Sequence, residues 1–250
     1  MEIVIGFVIA VVIALTGVGA GSITAPLLIL VLNVPVEIAV GTALAYSTIV
    51  KLIVVPVQLA RRQVSFRILG FMLIGGLPGV ILGSLLFRQV AMHGQKSVLY
   101  VVLGAIILLS SGWNLWHHFR PEGITRPSTN RPRWIAAIML PIGGEVGFSS
   151  SGAGALGTLA LLGFTSLTTT QVVGTDLAFG LIVSMSGTIV HMMGGTLHSL
   201  LLMKLAIGGV AGAMVGSGVA PLIPNRQLRF ALSLWLFVIG LQFCYQAAMQ

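Results

Sequence analysis

The chain has 250 residues, 56% apolar and 7% charged, with a formal net charge of +8 and a mean hydropathy of +1.06. A soluble domain carries about 25% charged residues; five acids and thirteen bases cannot cover a water-facing surface, so most of this chain has the lipid bilayer as its solvent. The bases stand in short breaks between apolar runs, where topology signals belong, and form no stripe with interleaved aromatics, which argues against a nucleic-acid partner.

A bilayer core about 30 Å thick takes about 20 apolar residues of helix. Residues 3–32 are long enough but break at Gly17-Val18-Gly19-Ala20-Gly21, leaving helical pieces over 3–15 and 22–32. The first piece looks like the apolar core of a signal peptide, but only Glu2 precedes it and its glycines recur later, so it reads as structure. Spans follow over 38–60, interrupted by Lys51, then 68–87 and 97–116. Residues 119–133, rich in Arg and Pro, are the only long polar connection and read as a cytoplasmic linker between a first repeat (1–118) and a second (134–250). Residues 134–162 are again interrupted, at Pro141, at Gly143-Gly144 and around Ser149 to Gly154. Three spans complete the chain: 172–193 with Asp176 and His191, 205–223, and 230–249 with Cys244, whose role reads as packing. The expected fold is all-α and polytopic.

The halves match at a constant offset of 133 residues, the step from Thr42 to Thr175. Gly19-Ala20-Gly21 falls on Gly152-Ala153-Gly154, Val40-Gly41-Thr42 on Val173-Gly174-Thr175, Ile74-Gly75-Gly76 on Ile207-Gly208-Gly209, and Gly83-Ser84 on Gly216-Ser217. Apolar composition yields chance matches of Leu and Val, but not glycines in register without a gap. If each interrupted segment crossed the membrane, the repeats would be parallel and the loop bases would divide seven to four. If each enters and returns on one side, the repeats are inverted and the bases divide nine to two. The positive-inside rule favours re-entrant hairpins and inverted repeats with both termini outside, a recurring transporter design.

The duplicated glycine breaks are the first candidate site. Backbone N–H groups freed at a helix start cannot stay unpaired in lipid. They carry partial positive charge and suit an anion, and glycine lets the backbone approach it. Gly19, Ala20, Gly21 and Ser22, with Ser22 as a helix cap, therefore pair with Ser150, Ser151, Gly152, Ala153 and Gly154 as binding candidates for a small anionic substrate. The same glycines could instead serve only close helix packing. Charge within a span is costly, which singles out Lys51 to attract the anion and Asp176 or Glu145 to carry a coupling proton; a structural ion pair is the plainer reading. Thr42 and Thr175 could donate to substrate oxygens or bond the preceding turn. Ser150 and Ser151 with His191 also suggest a rhomboid-like intramembrane serine protease, but the first repeat has the glycines without any Ser–His set. A passive anion channel is the other alternative. No soluble-enzyme motif, cofactor motif or metal-ligand spacing is visible.

Gly17-Val18-Gly19-Ala20-Gly21 followed by Pro26-Leu27-Leu28, Pro35 and Ala39-Val40-Gly41-Thr42, with the basic Arg61-Arg62-Gln63 and the glycine-rich stretch 75–83, resembles the sulfite exporter TauE/SafE family, also called toluene-sulfonate uptake permeases. The second half repeats the signature over 152–175, so the resemblance covers about residues 5–245. Ala20 departs from a common glycine, and Leu159 stands where a proline is expected. The resemblance implies a transporter of the bacterial inner membrane moving sulfite, sulfonates or related organosulfur anions.

Overall fold

In a computed structural model of the chain, residues 1–16, 20–92, 96–119, 132–151, 156–219 and 225–248 are described. They form ten α-helices and no strand: α1 (Glu2–Thr16), α2 (Ala20–Leu30), α3 (Val36–Ala60), α4 (Phe66–Met92), α5 (Lys96–Phe119), α6 (Pro132–Ser149), α7 (Leu156–Phe164), α8 (Thr169–Met193), α9 (Ser199–Val219) and α10 (Asn225–Ala248). The helices keep the sequence offset: Val36–Ala60 shifted by 133 residues is Thr169–Met193. Local chemistry sets the boundaries. Pro35 fixes the entry to α3, while Thr168 and Gln171 cap α8 reciprocally, each side chain taking the other's backbone N–H. Both helices end in left-handed residues, Arg62 and Gly195, which are repeat mates.

Among the described residues four helices, α3, α4, α8 and α9, are long and apolar enough to cross a bilayer. The pairing α1–α9 in one place and α6–α4 in the other exchanges hairpins between repeats. Small residues make it possible. A Cβ on Gly75, Gly79 or Gly83 of α4 would collide with the backbone of Ala136, Leu140 or Gly144 in α6. The mates Gly208, Gly212 and Gly216 of α9 meet Ile3, Phe7, Val11 and Ala14 of α1 in the same way. In lipid, close packing of this kind replaces the hydrophobic drive as the source of helix association. Two aromatic rings complete the symmetry: Phe179 lies on Gly76, and its mate Tyr46 on Gly209.

The relative directions of the helices give the topology. Thr42 of α3 lies by His198 after α8, and Thr175 of α8 by Ser65 after α3, so these two repeat mates run antiparallel. Repeat mates that span in opposite directions make the repeats inverted. The start of α1 is held at α9, where Glu2 bonds Lys204 at 3.0 Å, and the start of α3 is held just before α9, at Thr196 and His198. The far end of α1 packs on Gly216, near the other end of α9. The α1–α2 segment therefore goes in and comes back: it is a re-entrant hairpin. Its mate α6–α7 follows from the same contacts at α4 and α8.

Two expectations need correction. Pro141 and Gly143-Gly144 do not interrupt the second hairpin, because α6 runs unbroken from Pro132 to Ser149. Gly143 is a contact point, where a Cβ would strike the carbonyl of Gly76. Ser22 is not a cap, since α2 already contains Ala20 and Gly21. Helix α6 begins at Pro132, and residues 120–131 lie outside the described residues.

Candidate functional site

The segments flanking the two helix breaks meet at Gly21 and Ser150. Helix α6 ends at Ser149, whose hydroxyl donates to the Glu145 carbonyl at 2.9 Å and accepts the Ser151 N–H at 3.2 Å. Ser150 then turns the chain out of the helix with φ of 61°, a left-handed conformation that costs a residue bearing a Cβ about 1–2 kcal/mol. Its side chain is 4% exposed, and its Oγ has no hydrogen-bond partner among the described residues. The neighbour it does have is α2: a Cβ on Gly21 would collide with the Ser150 carbonyl oxygen and Oγ. Glycine is thus required at position 21 for the first turn of α2 to reach the end of α6. Ser22 and Ser151 are buried beside them. Gly19, Gly152, Ala153 and Gly154 lie outside the described residues, while Ala20 is the first residue of α2.

Charge gathers at the second hairpin. Asp176, 2% exposed on α8, accepts a hydrogen bond from the Thr158 hydroxyl at 2.9 Å and fills the space left by Gly157. Both residues belong to the end of α7 next to the break, where the helix dipole favours negative charge. Lys51, 3% exposed on α3, interacts electrostatically with Asp176. Sequence reading found Lys51 and Asp176 but missed Thr158. A signal was there: the first repeat has Ala25 and Ala43 at the positions of Thr158 and Asp176, so the partners changed together.

Thr42 and Thr175 stand elsewhere. The Thr175 hydroxyl accepts the Ser65 N–H at 3.0 Å, and the Thr42 hydroxyl accepts the His198 N–H at 3.3 Å. The preceding glycines let the loops come close, since a Cβ on Gly174 would meet the Gln63 carbonyl and one on Gly41 the Thr196 carbonyl. The duplicated Gly-Thr pair is a clamp by which each repeat grips the loop of the other.

Residues 2–243 match the family described as Sulfite exporter TauE/SafE. The chain belongs to that family. Among proteins similar to this TauE/SafE member is "Probable membrane transporter protein YjnA" of Bacillus subtilis (strain 168), 28% identical over 248 residues that span 96% of this chain and 97% of that protein. "Probable membrane transporter protein YdhB" of the same strain is 23% identical over 243 residues, again 96% and 97% of the two chains. No solved structure gives a significant match. As a member of the TauE/SafE family with several apolar helices, the protein is a multi-pass protein of the bacterial inner membrane with a role in transport.

Two remaining residues of this TauE/SafE chain have distinct surroundings. His191 is buried, with Nδ1 on the Thr196 hydroxyl and Nε2 on the Gly147 carbonyl, both at 3.1 Å, and its ring against Phe87. Both nitrogens are committed and Ser150 Oγ has no partner, so the two do not form a Ser–His dyad. Glu145, on α6 one turn before the break, is among the residues lining a cavity between α5, α6 and α7. Among the described residues no three His, Cys, Asp or Glu gather as a metal site.

Proposed function

We propose that this protein is a secondary transporter of a small anion, with sulfite, a sulfonate or a related organosulfur anion as substrate, bound where the two helix breaks meet. The observation that carries the reading is the Ser150 hydroxyl, buried and without a partner, beside the first turn of α2. A buried hydroxyl with nothing to bond is costly unless a ligand supplies the missing partner. The first-turn amides of α2, from Ala20 to Ser22, with the Ser22 and Ser151 hydroxyls, complete the donor set for such a ligand, and Lys51 adds positive charge. The sulfur chemistry is inferred from the family alone.

Asp176 is the acid assigned to exchange a coupling proton, because it joins the start of α7 to Lys51 and so ties the second hairpin to α3. Thr42 and Thr175 are assigned to holding the loops in this reading, since each hydroxyl accepts an N–H from a loop of the other repeat. Alternating access comes from the hairpins moving against the frame of α3 and α8.

Proteoliposomes loaded with sulfite, thiosulfate, a sulfonate or a short carboxylate test the proposal. Counterflow accumulation of a sulfur oxyanion, lost in Ser150→Ala, is the expected result. Flux that only follows the gradient points to a channel. Carboxylate transport with every sulfur oxyanion inert removes the substrate assignment. Asp176→Asn is expected to lose accumulation driven by a pH gradient while retaining exchange; if the variant still accumulates substrate under that gradient, the coupling role is wrong.

A further inference from the structure

A cavity of about 470 Å³ lies among α5, α6 and α7. It follows the second hairpin from Ile138 and Phe164, at the hairpin's open end, to Glu145 and Leu156 beside the break. Trp113 of α5 lines it and is 59% exposed. Its volume falls within the range of about 300–1,000 Å³ typical of small-molecule pockets. The wall is apolar apart from one titratable group, Glu145. The Ser110 hydroxyl bonds the Glu145 carboxyl, yet Oε1 is buried with no hydrogen-bond partner. A carboxyl oxygen buried behind this apolar wall lacks a donor.

Comparison of the repeats shows how the cavity arises. Glu145, Ala160 and Gly163 correspond to Val12, Leu27 and Leu30, which pack against the core of the first repeat. In the second repeat two leucines are replaced by smaller residues and a valine by an acid. A Cβ added at Gly163 would meet nothing within 4 Å. Space and charge changed together at one place, as a ligand site requires and simple packing does not.

The chemistry selects the ligand. A carboxylate repels the anion proposed for the breaks, and a purely apolar occupant leaves Oε1 bare. An ammonium group with an apolar body satisfies both features. We propose that this cavity binds an amphipathic monocation, its ammonium on Glu145 and its body against Ile142, Leu159 and Ala160. The occupant touches both arms of the second hairpin without entering the meeting point of the breaks. The assignment does not depend on which anion the protein carries.

Purified protein in a neutral detergent is titrated calorimetrically with 4-phenylbutylammonium and with 4-phenylbutanol, the neutral compound of the same length. Wild type is expected to bind the ammonium at least about tenfold tighter than the alcohol, since charge-assisted hydrogen bonds are the strong ones. Glu145→Gln keeps the shape and is expected to bring the ammonium down to the alcohol's affinity. The double variant Ala160→Leu, Gly163→Leu restores the first repeat's side chains, leaves the carboxyl in place and is expected to abolish binding of both compounds. A monodisperse elution profile and unfolding midpoint for each variant separate lost binding from lost folding. Equal affinity for alcohol and ammonium in wild type, no binding of either, or undiminished ammonium binding in a folded variant overturns the proposal.

Discussion

Replacing Ser150 by alanine separates a ligand-binding hydroxyl from a structural one by the sign of two effects. In the empty protein the Ser150 Oγ is buried and has no partner, so it contributes a desolvation cost of about 1–3 kcal/mol and no compensating bond. Alanine removes that cost and keeps the Cβ, leaving the left-handed strain at φ 61° unchanged. The variant is therefore expected to be as stable as wild type or more so, with an unfolding midpoint equal or a few degrees higher. With anion bound, the hydroxyl gains a charged acceptor, worth about 1.5–3 kcal/mol, so alanine should weaken affinity by roughly tenfold to a hundredfold. Ser150→Gly also relieves the strain of about 1–2 kcal/mol and should be the most stable of the three, with the same transport defect. Thermal unfolding in detergent reads the first effect, and counterflow per folded molecule reads the second. A Ser150→Ala protein that loses stability and transports normally would refute the reasoning.

The glycine seams should be intolerant: Gly79→Ala and Gly212→Ala each force a Cβ onto backbone of the facing hairpin and are expected to cost about 1–3 kcal/mol, seen as lowered midpoints. Gly70→Ala, where an added Cβ meets nothing within 4 Å, should instead gain about 0.5–1 kcal/mol of helix stability. Thr175→Val removes the acceptor of the Ser65 N–H and should cost about 1–3 kcal/mol in stability while transport per folded molecule stays unchanged. If transport falls and stability does not, Thr175 belongs to the substrate site. With Cys244 replaced by serine, single cysteines at Asn33 and Arg61 should label from opposite sides of the membrane; labelling from one side would contradict the topology.

Much of this architecture could be read from glycine spacing alone. A helix in lipid has few sequence devices besides small residues, so the positions where backbones touch recur in both repeats. That is why the offset located α3, α4, α8 and α9 and why the base count in the loops favoured the inverted arrangement. The same economy misled at particular residues. Gly143-Gly144 looks like a break, but it is a seam, because glycine serves both purposes and only the partner at Gly76 distinguishes them. Gly41-Thr42 and Gly174-Thr175 have the composition of an anion site, yet they hold loops, since the amides they accept belong to the other repeat. Lys51 and Asp176 were legible because charge within a span is rare. Thr158 was not, because a threonine in a membrane helix is ordinary until the acid it serves is known. The Glu145 cavity escaped for a different reason: missing volume is seen only when opposing helices are in place.

The exchange of hairpins between repeats has a consequence for how the protein is made. Helix α1 emerges from the ribosome well before the surface that receives it, on α9, with seven helices made between them. Until then the half-length α1 must wait at the membrane without its seat, while α4 likewise waits for α6. Neither half can finish alone, so assembly is bound to be a late, single event rather than two domains maturing in turn.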